Sequence, residues 1–286
     1  MNFTTLISAA QLRQLSVQDD PLMIFDCSFE LMQPAAGDQQ YHESHIAGAV
    51  RANLNRDLSA AEGSDASSGG RHPLPAREAF ASWLGNVGFG NQMQAVVYDR
   101  QGANYCGRLW WMLKWAGHEN VAVLDGGLQA WVAQGGNIAS GPQAARPQQD
   151  FLLREPRATL TTTQQVSDGL GHITQVIVDA RAAPRFRGEV EPLDPVAGHI
   201  PGALNRPFGL NLDADGRFKD GPTLRREFEA LLDGRDPSGM VHHCGSGVSA
   251  VPNIIAMEVA GLGRSALYAG SWSEWCSDPA RPVARG

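Results

Sequence analysis

One of the four cysteines in this 286-residue chain stands where chemistry is expected. In the stretch MVHHCGSGVSAVPN, residues 240–253, Cys244 follows an apolar run and precedes two glycines. Residues 240–243 read as a strand. Gly245 to Ala250 reads as a loop, and a helix follows with Pro252 near its start and Gly261 as its C-terminal cap. A loop that wraps from a strand into a helix turns several backbone N–H groups inward. Together with the positive end of the helix dipole these favour an anion at the loop centre. A thiolate is such an anion, and it is the nucleophilic form of cysteine. Gly245 and Gly247 allow a tight bend and the approach of a substrate. A cysteine can also serve as a small buried hydrophobe. Its place between residues too small to cover it decides for reactivity, so Cys244 is predicted to be the nucleophile.

The neighbouring histidines carry less. Side chains alternate along a strand, so His242 and His243 cannot both face the loop, and a Cys–His pair is not required because the loop itself holds the thiolate. His45 and His199 each open a turn-like H-I-x-G-A segment and are predicted to be structural, as are Cys27, Cys106 and Cys276. Asp26 and Asp179 are expected to tie down loops, and Arg181 to make an internal ion pair.

The elements that position Cys244 occur twice. An apolar run ending in Asp26 leads after 19 residues to His45, and one ending in Asp179 leads after 20 residues to His199. AVVYDRQGANY (95–105) parallels MVHHCGSGVSA (240–250), and VAVLDGGLQAW (121–131) parallels SALYAGSWSEW (265–275). Short apolar runs alternate with helical stretches ending at Gly117 and Gly261, which predicts two α/β domains, each a parallel sheet flanked by helices. Ligands of such sheets bind at the carboxyl ends of the strands. The Gly-, Pro- and Gln-rich stretch running to Asp150 marks the junction. The predicted division is 1–138, a linker at 139–158, and 159–286. The Gly/Ser-rich insertion at 59–70 is predicted to be a mobile surface loop. Asp99 occupies the position of Cys244 in the first half, so the chemistry is assigned to the second.

Composition narrows the function classes. A net charge of −7 argues against nucleic acid or an anionic membrane as partner. No apolar run approaches membrane-spanning length, and the first residues lack the pattern of a signal peptide. The cysteines are widely spaced with no C-x-x-C, so neither a disulfide framework nor a metal site is predicted, and a reducing cytoplasm fits. No cofactor is expected. Ser8 reads as the N-cap of the first helix.

Taken together, the two-fold repeat, both H-I-x-G-A segments and CGSGVSA at 244–250 resemble the tandem rhodanese-domain sulfurtransferases, in particular those using 3-mercaptopyruvate. The likeness spans nearly the whole chain. It implies an inactive N-terminal domain packed against a catalytic C-terminal one, with the site in the cleft between them. Cys244 would accept sulfur as a persulfide and pass it to a thiol such as thioredoxin, to a small thiol, or to cyanide. Arg185 matches the family arginine that binds the donor's carboxylate, a task suited to a planar two-pronged donor. Gly245, Gly247, Val248 and Ser249 would line the donor. Ser246 would donate a hydrogen bond or a proton to the departing pyruvate enolate. Thiosulfate-using relatives carry basic residues at the positions of Gly245 and Ser246; their absence favours a monoanionic donor over thiosulfate.

Three departures stand out. Many members carry a second substrate-binding arginine where this chain has Leu193 and Asp194. Ser249 replaces a threonine, and Val251-Pro252 replaces a frequent Cys-His. Thiosulfate as donor is the nearest alternative reading. A cysteine phosphatase would need arginine six positions after the cysteine, where Ala250 stands. A non-catalytic binding module would lack the cysteine, which only the first half does.

Overall fold

Two sheets of five parallel strands have the same strand order. In the first, Leu6–Ile7, Val121–Leu124, Gln94–Tyr98, Leu22–Asp26 and Val50–Arg51 lie side by side. In the second the order is Thr159–Leu160, Ala266–Leu267, Met240–His243, Val176–Asp179 and Leu204–Asn205. The sequence repeat is therefore a repeat of topology. The central strands Gln94–Tyr98 and Met240–His243 are buried along their whole length, as a parallel sheet covered on both faces requires.

The computed structural model describes residues 2–18 and 21–286. It forms two compact units. One comprises Met1–Asp65, Pro75–Arg157 and Ala214–Arg217; the other comprises Ala66–Leu74, Ala158–Asp213 and Phe218–Gly286. These units depart from the sequence division in three places, the shortest being Ala214–Arg217, which falls in the first unit. The stretch after residue 138 stays with the first unit, where Gln149, Arg154 and Arg157 donate backbone N–H groups to the carbonyls of Gly85, Ala116 and Lys114 at 2.9–3.1 Å. Residues 66–74, although they precede the first unit's longest helices, fold as part of the second. Within 59–70, expected to be a mobile surface loop, residues 61–66 are exposed, whereas the stretch from Ser67 on is tied into the second unit. Ser67 donates to the Leu74 carbonyl, and the Gly69 N–H donates to Glu274 Oε2 at 3.2 Å.

Local rules recur in both units. The helices Cys106–Trp115 and Val251–Val259 each follow the central strand of their sheet. Each ends at a glycine in the left-handed region, Gly117 at φ +88° and Gly261 at φ +68°, with paired capping bonds from the glycine and its successor. His45 stacks on Tyr41 and bonds its carbonyl at 2.7 Å; His199 stacks on Phe186 and bonds its carbonyl at 2.8 Å. Asp26 accepts the Ser28 N–H and Asp179 the Arg181 N–H, each closing the turn after its strand. Ser8 caps the first helix, Ala9–Ser16, through a capping box with Gln11. Among the described residues, no helix is long and apolar enough to cross a membrane.

Candidate active site

Cys244 directly follows the strand Met240–His243, and residues 244–250 lead into the helix Val251–Val259 with Pro252 in its first turn. Its backbone is fixed on both sides. The Cys244 N–H donates to Ser271 Oγ at 3.1 Å, and its carbonyl accepts the Trp272 N–H at 3.0 Å. Ser271 is itself fully buried and sits at φ +56°, a region that non-glycine residues rarely occupy. Its hydroxyl donates to the Tyr268 carbonyl at 2.9 Å while accepting from Cys244, which holds the strained turn in place.

Gly247 lies at φ +72°, and a methyl carbon there would come within 2.2 Å of the Ala269 carbonyl oxygen. Gly247→Ala is therefore expected to destabilise the protein by on the order of 2–4 kcal/mol, read as a lower urea midpoint at unchanged slope.

The first unit shows what this kind of loop holds. Asp99 follows the strand Gln94–Tyr98 as Cys244 follows its own. Its carboxylate accepts four backbone N–H groups, from Gln101, Ala103, Tyr105 and Cys106, at 2.8–3.1 Å. In the first unit the loop is an anion cradle, filled by the protein's own carboxylate.

Beside Cys244, Ser246 Oγ lies 2.7 Å from His72 Nδ1, and both residues are buried. Arg71 precedes that histidine. A methyl carbon built on Gly245 would sit 3.1 Å from Arg71 Nη2 and 3.5 Å from Arg185 Nη1, so two guanidinium groups converge beside the residue after Cys244. Glu191 grips Arg185 at 2.6 Å and 3.2 Å, and Asp194 bridges Arg185 at 3.3 Å and Arg71 at 2.5 Å. Deeper in, Arg181 pairs with Asp179 at 2.7 Å and with Glu191 at 3.2 Å. Burial alone would raise the Asp179 carboxyl, but His243 and Arg181 beside it hold it below its ordinary pKa.

The loop around Cys244, with a hydroxyl–imidazole pair and two arginines beside it, belongs to a chain whose two halves match one family. The rhodanese-like domain pattern matches residues 8–134 and 162–278. The chain belongs to the rhodanese family. It is 44% identical, over all of both chains, to a protein of Pseudomonas aeruginosa named "probable 3-mercaptopyruvate sulfurtransferase". It is 42% identical to SseB of Mycobacterium tuberculosis, whose name offers it as a thiosulfate sulfurtransferase; 98% of this chain and 97% of that one are covered. Among solved structures it resembles SseA of Escherichia coli, described as a 3-mercaptopyruvate sulfurtransferase, at 30% identity and a TM-score of 0.77, covering 95% of this chain and all of that one. The rhodanese relatives are sulfurtransferases, and this chain is an enzyme of that kind.

Within this rhodanese site the sequence-predicted residues divide. Cys244, Gly245, Ser246 and Arg185 come together, and Gly247 sustains the loop. Val248 is buried and its carbonyl accepts the Val251 N–H, a structural turn. Ser249 is half-buried and makes no side-chain hydrogen bond to another described residue. Neither strand histidine is directed at the thiol by its bonding. His242 Nε2 lies 3.1 Å from Met257 Sδ, and burial pushes its pKa down to about 3. His243 bonds the Cys244 carbonyl, and burial also lowers its pKa. Burial raises the pKa of Cys27, Cys106 and Cys276, which keeps those thiols protonated and poorly nucleophilic. His72, Arg71 and Ser271 escaped the sequence reading. The first two directly follow the insertion at 59–70 and have no counterpart in the parallels between the two halves. Ser271 had a signal, since it aligns with Gly127, which sits at φ +57°.

Proposed function

We propose that this rhodanese moves sulfur from 3-mercaptopyruvate through a persulfide on Cys244 to a thiol or cyanide, releasing pyruvate. The Cys244 thiolate attacks the donor sulfur; the S–S bond forms as the C–S bond breaks, and the electron pair leaves on the pyruvate enolate. The donor's thiol proton ends on that fragment, which becomes pyruvate, and the Cys244 persulfide is left as its anion. Ser246 and His72 lie where that proton would be relayed: the hydroxyl donates toward the developing charge and the imidazole exchanges the proton with it. A thiol acceptor, thioredoxin or a smaller one, or cyanide then removes the outer sulfur. All four cysteines are unpaired, which suits a reducing compartment such as the cytoplasm.

The observation that carries the choice of donor is the charge balance beside Cys244. Arg71, Arg181 and Arg185 are matched by Asp179, Glu191 and Asp194. The site therefore offers directional N–H donors without a surplus of positive charge. That suits one carboxylate better than the dianion thiosulfate, whose second charge finds no counter-charge; near a protein surface one such pairing at about 4 Å is worth on the order of 4 kcal/mol. The neutral loop alone would not support this preference, because Arg71 and Arg185 stand beside it. Thiosulfate stays as the second reading, favoured by the 42% identity to SseB. Cyanolysis with both donors in parallel decides. A specificity constant at least about tenfold higher for 3-mercaptopyruvate is expected, and the reverse order overturns the reading.

Arg185 is proposed to orient the donor's carboxylate. Arg185→Ala is expected to lower kcat/KM for 3-mercaptopyruvate by roughly 10–100-fold. Arg185→Lys keeps the charge but loses the fork and recovers only part of it. An unchanged kcat/KM in Arg185→Ala removes Arg185 from the site.

A further inference from the structure

We infer that Arg71, brought into the second unit by residues 66–74, is a donor-binding residue that shares the donor's carboxylate with Arg185. The inference rests on the proposed 2-oxo acid donor. The observation is how the two guanidinium groups use their edges. Arg71 gives Nη1 to Asp194, and Arg185 gives Nε and Nη2 to Glu191 and Asp194. Arg71 Nη2 and Arg185 Nη1 make no hydrogen bond to any described residue, and these are the two atoms nearest the place a methyl carbon on Gly245 would take. Arg71 Nε is buried and also unpartnered.

The arrangement follows from the chemistry of guanidinium. Five N–H groups in one plane let one edge be anchored by protein carboxylates while another faces a ligand. Asp194, only 3% exposed, takes one oxygen to each arginine and so fixes both planes at once. Two free N–H edges around one point suit a planar two-oxygen anion, which can accept from both. They stand next to the residue after the nucleophile, so a short donor held there by its carboxylate keeps its sulfur near Cys244. Gly245 is part of the same design: any side chain there would press on Arg71. The backbone N–H of Arg71 donates to Ser273 Oγ at 3.0 Å, so the segment is anchored independently of the guanidinium.

The test uses full-length protein in two forms. In active enzyme, Arg71→Ala is expected to raise KM for 3-mercaptopyruvate about 10–50-fold with kcat within about threefold, and Arg71→Lys to lie between. In the Cys244→Ser background, which cannot turn over, calorimetry reads binding of pyruvate, a 2-oxo acid without sulfur. Adding Arg71→Ala should weaken it at least about tenfold. Unchanged KM and unchanged pyruvate affinity overturn the inference, as does failure of the Cys244→Ser protein to bind pyruvate at all. A fall in kcat and melting temperature at constant KM also overturns it, making Arg71 a strut for His72. Should the wild-type protein fail to use 3-mercaptopyruvate while Arg71→Ala still weakens pyruvate, the donor assignment falls and the arginine clamp stands.

Discussion

Cys244→Ser is expected to abolish sulfur transfer to cyanide with 3-mercaptopyruvate and with thiosulfate alike, by at least about 10³-fold. Serine keeps the size and the backbone bonds to Ser271 and Trp272, so folding should be unaffected. What would be lost is the polarisable sulfur proposed to form the S–S bond. The other thiols offer no substitute, because burial raises the pKa of Cys27, Cys106 and Cys276 and keeps them protonated. Intact mass after donor treatment should show one added sulfur on the wild-type chain and none on the variant. A persulfide that persists in Cys244→Ser, or that peptide mapping places on Cys106 or Cys276, would defeat the assignment.

Ser246→Ala and His72→Ala should each lower kcat for 3-mercaptopyruvate by about 10²-fold. The two are in direct contact at 2.7 Å, so removing both should cost little more than removing one. The selectivity between donors is the sharper reading. A pyruvate enolate must gain a proton as it leaves, whereas thiosulfate departs as sulfite and needs none. The loss should therefore be confined largely to 3-mercaptopyruvate. If Ser246 only anchors residues 66–74 through His72, both donors would suffer alike and the melting temperature would fall. Additive losses in the double variant would mean that the pair does not act as a unit.

Basic residues at the two loop positions test the same electrostatics from the other side. An arginine at position 245 would meet Arg71, whose Nη2 is 3.1 Å from the first side-chain carbon. Charge at this site is thus set by how Arg71, Arg185, Glu191 and Asp194 are arranged in space as much as by the residues of the loop.

The sequence by itself determined the parts whose causes are local or repeated. Short apolar runs, glycine caps and the doubled H-I-x-G-A segments specify two α/β units, because each is written within a few residues. Cys244 was singled out for the same reason: a strand, a glycine loop and a helix N-terminus in one short stretch read as an anion cradle. The matching loop of the first unit is one, with Asp99 accepting four backbone N–H groups. The tertiary structure alone decided what surrounds the sulfur. Arg71 and His72 lie more than 170 positions from Ser246, directly after a stretch whose Gly/Ser-rich composition reads as loop. Asp194, noted in the sequence only as a missing arginine, proves to hold Arg71 and Arg185 together. Nothing in the chain near either residue encodes that pairing. It arises because residues 66–74 pack with the second unit, and contacts between distant segments are set by the packing of whole elements and not by local propensity.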